Sequence, residues 1–180
     1  NGVAKRVIDQ PNNNMKKIGL ISDNHSFDGN DMIKHLRDCD EIWHAGDIGS
    51  LKSIKEIRDL CTFRAVYGNI DGLAVRNEFD LNLSWECAGM SIFMTHNGGY
   101  TPKYYKRVKK ILEETKPDLY ICGHSHILRV MPDKDLDLLH MNPGAYGHHG
   151  FHKIRTILKF EIEAGGIQKA NVIELGLRGR

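Results

Sequence analysis

Seven side chains of the types that bind metal ions each come just after a short apolar run. The first run, Ile18 to Ile21, is followed by Ser22, Asp23, Asn24 and His25. An apolar run of this length, bounded by polar residues, favours a buried strand over a helix, which would need more turns. Carboxylate oxygens and imidazole nitrogens beyond the carboxyl end of a strand are common ligands of catalytic metals. The seven residues are Asp23, His25, Asp47, Asn69, His96, His124 and His126.

A pair of metal ions would account for all seven side chains together. Burying this many imidazole and carboxylate groups without partners would be unfavourable. A carboxylate such as Asp47 can bridge two ions at the ~3.5–4 Å separation of binuclear hydrolytic sites. We expect the remaining ligands to divide into two sets, namely Asp23, His25 and His126 for one ion, and Asn69, His96 and His124 for the other.

The charge of such a centre predicts its chemistry. Two divalent cations against two carboxylates leave about two positive charges in excess. A bridging hydroxide would reduce this excess by one and would itself be the nucleophile, and the remaining positive charge would match a phosphate group. The mixed nitrogen and oxygen donors suit manganese, iron, cobalt, nickel or zinc. We expect two divalent ions, with manganese first and magnesium as a further candidate.

The first half of the chain predicts parallel strands that would gather these residues. Strands are expected at Ile18–Ile21, Glu41–His44 and Phe63–Tyr67, separated by helices at 30–36 and 51–60. Ser50 is the predicted N-cap of the second helix. Repeated β-α-β units imply parallel strands with right-handed crossovers, so their polar carboxyl ends should meet at one edge.

The second half predicts hairpins and one more helix. Strands are expected at 79–85 and 90–95, at 118–122, at 127–131 and 136–141, and at 154–162 and 167–175, with Gly165-Gly166 as a hairpin link. Pro102 is predicted to open a helix whose apolar stripe includes Val108, Ile111 and Leu112. The whole pattern favours a mixed α/β fold, in which two mixed sheets pack together with helices outside.

Composition excludes several other classes of protein. The 180 residues suit one domain over residues 15–180, preceded by a polar, Asn-rich lead at 1–14 that we expect to be appended. A net charge of +2 is too small to argue for a nucleic-acid or membrane partner. No apolar run approaches the ~20 residues of a membrane span. Four scattered cysteines without a CxxC pair indicate a cytoplasmic protein rather than a disulfide framework.

Five ordered motifs resemble those of the calcineurin-like metallophosphoesterase superfamily, and the chain length resembles its small, single-domain, YfcE-like phosphodiesterase branch. The resemblance spans Met15 to about Leu175 and includes the late turn Asn142-Pro143-Gly144. It implies a four-layer αββα sandwich with the seven residues above as dimetal ligands. The motifs are Asp23-x-His25, Gly46-Asp47, Gly68-Asn69, His96 and Gly123-His124-Ser125-His126.

The third motif departs from the pattern of larger family members. Those proteins carry a His directly after the Asn, where it is thought to protonate the leaving group, whereas this chain has Ile70 followed by Asp71. Asp71 could act as a general acid or hold a metal-bound water. We take Asp71 and His124 as the candidate catalytic residues. Without the His, diesters and esters with good leaving groups are the expected substrates.

The other histidines have simpler interpretations. His44 is expected in the core or in support of a ligand, and His35 and His140 are expected to be structural. The loop histidines His148, His149 and His152 are expected to face solvent. The alternative is that one of these three reaches the mouth of the metal site, where it could contact phosphate or replace the missing acid.

The leading hypothesis is a metal-dependent phosphodiesterase acting on a small phosphoester. The first alternative is a phosphomonoesterase. The second is a protein-binding scaffold, since the retromer subunit of the same superfamily keeps the fold but has lost key ligands. Every ligand position of this chain keeps a competent side chain, which argues against the scaffold. A nuclease is disfavoured by the small net charge, and hairpin-rich edges are compatible with a homodimer.

Overall fold

The computed structural model describes residues 15–179, and the predicted lead at 1–14 lies outside the described residues. The first half alternates strands and helices as expected. Its elements are β1 (Lys16–Ile21), α1 (Asp31–Leu36), β2 (Glu41–His44), a 3-10 helix (Leu51–Ile54) that continues into α2 (Lys55–Arg58), β3 (Thr62–Ala65) and α3 (Leu73–Glu78).

Hairpins dominate the second half, around a single longer helix. Its elements are β4 (Asn82–Cys87), β5 (Met90–Thr95), β6 (Gly99–Tyr100), β7 (Lys103–Tyr104), α4 (Lys106–Thr115), β8 (Leu119–Ile121), β9 (Leu128–Asp133), β10 (Leu138–Pro143), β11 (Ile154–Glu163) and β12 (Gly166–Leu177).

Two mixed sheets of five strands result. The first has the order β12-β11-β1-β2-β3, with β1, β2 and β3 parallel and β11 antiparallel to β1. The second has the order β4-β5-β8-β10-β9, in which β5, β8 and β10 are parallel. β12 pairs with β11 at the end of the first sheet, and two register shifts interrupt this pairing, near Ile154 and near Lys159.

Three apolar clusters define four layers. Alternation along the strands sends Leu20 and Trp43 into the cluster between the sheets, where they meet Met94 and Ile121 of the second sheet. The neighbouring residues Ile21 and Ile42 point outward and pack with Met32, Leu36 and Ile57 of α1 and α2. On the far side, Val108 and Leu112 of α4 cover Phe93 and Tyr120. The predicted αββα sandwich is therefore confirmed.

The structure corrects the predicted boundaries in two places and adds one helix. Pro102 does not open α4, because Gly99 and Tyr100 pair with Tyr104 and Lys103 and leave Thr101-Pro102 as the turn of a small hairpin. Phe79 ends α3 instead of starting a strand, so β4 begins at Asn82. The sequence analysis did not predict α3.

No helix between residues 15 and 179 combines the length and apolar character that a membrane span requires.

Candidate metal centre

Five strand ends and the loops that follow them deliver the seven predicted ligands to one edge of the sandwich. Asp23 and His25 follow β1, Asp47 follows β2, and Asn69 follows β3. From the second sheet, His96 follows β5 directly, and His124 and His126 follow β8. Because β1, β2 and β3 are parallel, and β5 and β8 are parallel, these ends lie together.

The side chains form one connected cluster. Nε2 of His126 lies 3.1 Å from Oδ1 of Asp23, and Nε2 of His96 lies 4.0 Å from the same oxygen. Oδ1 of Asn69 lies 3.1 Å from Nε2 of His96 and 2.8 Å from Nδ1 of His124. The structure thus brings all the predicted ligands together, and their role as ligands stays a prediction.

Two groups within the cluster have donor atoms close enough to share an ion. Asp23, His25 and His126 form one group, and Asp23, Asp47 and His96 form the other, with donor atoms within 4.8 Å in each. Asp47 presents a different oxygen to each side, since its Oδ2 is 3.6 Å from Nε2 of His25 and its Oδ1 is 3.2 Å from Nε2 of His96. This arrangement fits a carboxylate between two cations.

Two buried atoms of the cluster support the fit to a cation. Oδ1 of Asp23 and Nε2 of His25 are shielded from solvent, and neither has a hydrogen-bond partner among residues 15–179. Leaving buried polar atoms unpaired is costly, and a divalent cation would coordinate both. The donor set of imidazole nitrogens and carboxylate oxygens suits such an ion.

Backbone groups fix the orientation of the candidate ligands. Nδ1–H of His96 donates to the carbonyl of Ala45 at 2.7 Å, which leaves Nε2 to face the cluster. Oδ2 of Asp23 accepts from the Ser22 hydroxyl and from the backbone N–H of His124. Such outer contacts set the tautomer and rotation of metal ligands.

The protonation states favour cation binding. Burial lowers the pKa of His25 and of His124, which keeps both imidazoles neutral at neutral pH. Burial opposes the charge of Asp47, but the hydrogen bond and charge of His96, the backbone N–H of Ile70 and the charge of His25 together outweigh it, so the pKa of Asp47 is lowered. Burial also opposes the charge of His96, but its contacts with Asp47, Asp23 and the Ala45 carbonyl together raise its pKa, and a cation at Nε2 would take the place of that proton.

The backbone at the site is strained. Five of the seven candidate ligands have positive φ, a region that residues other than glycine seldom adopt. The values are 54° for Asp23, 47° for His25, 55° for Asp47, 65° for His124 and 57° for His126. Loop-to-loop hydrogen bonds hold these conformations, including Asp23 N–H to Gly46 C=O and His25 N–H to Asp47 C=O.

Asp71 lies behind the cluster and joins two of its loops. Its Oδ1 accepts the N–H of Gly49, and its Oδ2 accepts those of Ile48 and Gly68, while only 3% of the residue is exposed. Both carboxylate oxygens are therefore engaged by backbone. The general-acid role of Asp71 stays a prediction, and these contacts give Asp71 a positioning role for the loops that carry Asp47 and Asn69.

The remaining histidines divide between core and mouth. His44 is fully buried and contacts Asn24 through Nε2 and the Gly46 N–H through Nδ1, so it supports the loops instead of facing the cluster. His149 is exposed, but its ring lies 4.8 Å from that of His25. His152 lies 5.2 Å from the ring of His126. The loop histidines at 149 and 152 thus border the site.

Three residues outside the predicted ligand set support the cluster. Ser22 holds Asp23, and Asn24 donates to Ser53 and so ties the β1 loop to the 3-10 helix. Asn142 donates to the carbonyl of Gly123 and to the hydroxyl of Ser125, which fixes the Gly-His-Ser-His loop. Their only sequence signal is adjacency to a motif or to a turn.

Comparisons with known proteins identify the family of this chain. The model of the calcineurin-like phosphoesterase superfamily domain matches residues 15–165. A probable metallophosphoesterase of Methanocaldococcus jannaschii is 28% identical over 134 residues, which is 71% of this chain and 67% of that protein.

Solved structures share the fold. An archaeal phosphodiesterase superposes with a TM-score of 0.66 at 24% identity, covering 87% of this chain and 99% of that chain. Vps29 of Entamoeba histolytica, complexed with zinc, gives a TM-score of 0.63 at 15% identity, covering 88% and 98%. The match of the family model over most of the sequence places this chain in the calcineurin-like phosphoesterase superfamily of metal-dependent phosphoesterases.

Proposed function

We propose that this protein is a phosphodiesterase with a dinuclear metal centre. The observation that carries the proposal is the pair of donor groups that share Asp23, with Asp47 presenting one oxygen to each side. Two divalent ions held there would supply Lewis acidity toward a phosphoryl oxygen and an activated water as the nucleophile. The second ion would also be coordinated by Asn69, His96 and His124.

The residues around Asn69 favour a diester over a monoester. Ile70 follows Asn69, and its side chain is 45% exposed and carries no proton to donate. Its backbone N–H instead donates to Oδ1 of Asp47 at 3.0 Å. The carboxylate of Asp71 is engaged by three backbone N–H groups. A phosphodiester with a good leaving group needs the least help from a proton donor at this position.

The test is hydrolysis of bis(p-nitrophenyl) phosphate by metal-stripped protein after manganese, nickel, zinc, magnesium or no metal is restored. We expect turnover only with metal, two ions bound per chain, and a higher kcat/KM for this diester than for p-nitrophenyl phosphate. Asn69→Ala and His124→Ala should lower kcat/KM at least about 100-fold, because each removes a candidate ligand. His35→Ala removes an imidazole outside the site and is the matched control.

Failure to bind metal would refute the proposed centre. A preference for the monoester would favour the phosphomonoesterase alternative. Binding of two ions without turnover of either ester would favour a protein-binding scaffold, the alternative that the fold likeness to Vps29 supports.

A further inference from the structure

A cavity of about 280 Å³ adjoins His124 on the side of the second sheet. Tyr100 and Lys103 of the small β6-β7 hairpin line it together with Arg129 of β9, and His140 of β10 contributes to its lining. The sequence analysis assigned no function to Tyr100, Lys103 or Arg129. Because the cavity shares His124 with the candidate centre, a group that is esterified to a phosphate at the metals could extend into it.

The charged side chains of the cavity are cations. Lys103 and Arg129 are lining residues, and neither forms an ion pair within the part of the chain that the structure describes. None of the described residues that line the cavity is Asp or Glu. Burial, together with the nearby Arg129 guanidinium, lowers the pKa of His140 to about 4, so this side chain is neutral at neutral pH.

Arg129 is held in place by an aromatic face. Its guanidinium carbon lies 4.2 Å from the centroid of the Tyr100 ring, a distance typical of a cation–π contact. This contact fixes the guanidinium without neutralising its charge, in contrast to Arg64 and Arg155, which pair with Glu41 and Asp31. A guanidinium that is positioned but has no carboxylate partner is suited to an anionic group of a ligand.

We propose that this cavity binds a second anionic group, a carboxylate or a phosphate, on the organic part of the substrate. The substrate class is then a phosphodiester whose non-leaving alcohol carries a negative charge, with Arg129 and Lys103 as its specificity residues. This inference rests on the proposed function, because the scissile phosphate must lie at the metals for its substituent to enter the cavity.

Three p-nitrophenyl diesters of similar size test the preference. Their second substituents are a 2-carboxyethyl group, an ethyl group and a choline group, which are anionic, neutral and cationic. We expect KM to rise about 10-fold from the anionic to the neutral ester and further for the cationic ester, because a charge-assisted hydrogen bond is lost and then a repulsion is added. The values of kcat should differ far less, since these contacts are distant from the bond that breaks.

Substitutions identify the residues responsible. Arg129→Gln and Lys103→Gln should bring the KM of the anionic ester close to that of the neutral ester. Tyr100→Phe keeps the ring and should keep the preference, whereas Tyr100→Ala should weaken it. Lys134→Gln removes an exposed cation outside the cavity and should change none of the three KM values. Equal KM values for the three esters, or a preference that persists in Arg129→Gln, would overturn the proposal.

A binding measurement separates this proposal from the proposed function. Calorimetry with metal-loaded protein should show tighter binding of 3-phosphonopropionate than of ethylphosphonate, and Arg129→Gln should abolish the difference. If no ester is hydrolysed but this binding difference holds, the phosphodiesterase fails and the anion site stands. If esters are hydrolysed without any charge preference and the two phosphonates bind equally, the anion site fails alone.

Discussion

At the scale of single residues, the site depends on conformations that the isolated chain would avoid. Each left-handed residue other than glycine costs of order 1 kcal/mol or more, and five candidate ligands adopt this conformation. The cost is tolerated because the loops hydrogen-bond to one another and because the surrounding strands are buried. Strain concentrated on the candidate ligands indicates that their arrangement is set by the fold and does not depend on a bound ion.

Asp71→Asn distinguishes a proton donor from a positioning residue. The amide has one acceptor oxygen instead of two, so at least one buried N–H of Ile48, Gly49 or Gly68 loses its partner. We expect the free energy of unfolding to fall by about 1–3 kcal/mol. Metal affinity should fall about 10-fold or more. The measurements are urea unfolding of metal-free protein and metal titration.

The leaving-group dependence of the Asp71→Asn rate provides the control. A positioning residue should affect methyl p-nitrophenyl phosphate and methyl phenyl phosphate by the same factor. A general acid should matter much more for phenyl, the poorer leaving group. A fall in hydrolysis rate that is confined to methyl phenyl phosphate, with metal affinity unchanged, would establish Asp71 as the general acid.

At the scale of secondary-structure elements, the end of β3 must approach the end of β2 very closely. A Cβ atom added at Gly68 would collide with Oδ1 of Asp47 and lie 2.4 Å from its backbone nitrogen, whereas one at Gly72 would meet nothing within 4 Å. We therefore expect Gly68→Ala to lower metal affinity and kcat/KM by at least about 10-fold. Gly72→Ala, four residues on, is the matched control and should leave both unchanged.

For both variants, metal titration measures the metal affinity, and hydrolysis of bis(p-nitrophenyl) phosphate measures kcat/KM. Equal metal affinity and equal kcat/KM in Gly68→Ala and Gly72→Ala would contradict the close approach of the two loops.

The sequence predicted the elements that carry a clear periodicity. The parallel strands β1, β2 and β3 are short apolar runs with helices between them, and each lies within a few residues of its predicted place. In α3 only Val75 is buried, and Leu73 is 80% exposed, so no apolar stripe marks this six-residue helix. The helix α4 was predicted correctly, but its predicted start at Pro102 was wrong, because pairing between two-residue strands leaves no periodic signal.

The same reasoning explains which parts of the site could be anticipated. The candidate ligands follow strands of predictable direction, so the edge that collects them could be inferred. The cavity beside His124 could not be inferred in this way. Arg129 lies on β9, and the residues next to Arg129 depend on the order of strands in the second sheet. That order is set by tertiary packing and has no counterpart in local sequence.

At the scale of the whole molecule, the candidate centre spans both sheets. Asp23, His25, Asp47 and Asn69 come from the first sheet, and His96, His124 and His126 from the second. The shared apolar cluster between the sheets therefore sets the distances between ligands. The site requires the sandwich as a unit, and neither sheet alone contains both donor groups.

Two buried histidines should make global stability depend on pH. Burial lowers the pKa of His44 and of His140 to about 4, below the ordinary value of 6.5. Above pH 6.5 both histidines are neutral in the folded and in the unfolded chain, so their titration does not change the free energy of unfolding. As the pH falls from 6.5 toward 4, the unfolded chain takes up protons that the fold excludes, and the free energy of unfolding falls by up to about 1.4 kcal/mol per pH unit for each histidine.

Removing one of the two groups isolates its contribution. Between pH 7 and pH 5, the free energy of unfolding of His140→Leu should fall by about 2 kcal/mol less than that of the parent protein. Urea unfolding with a chelator present measures the difference, because chelation removes the separate effect of pH on metal binding. Parallel stability curves for the two proteins would show that His140 is not held neutral in the fold.

The outer strand of the first sheet has a consequence for association between molecules. β12 spans twelve residues and ends the strand order of its sheet, and a long, regular edge of this kind can add strands from other copies without limit. Two register shifts distort its partner pairing, and left-handed conformations at Lys169 and Gly176 break its extended geometry. Lys169, which pairs with Glu161, also places an exposed ammonium group on this edge. Charge and irregularity of this kind disfavour edge-to-edge pairing with a strand of another copy.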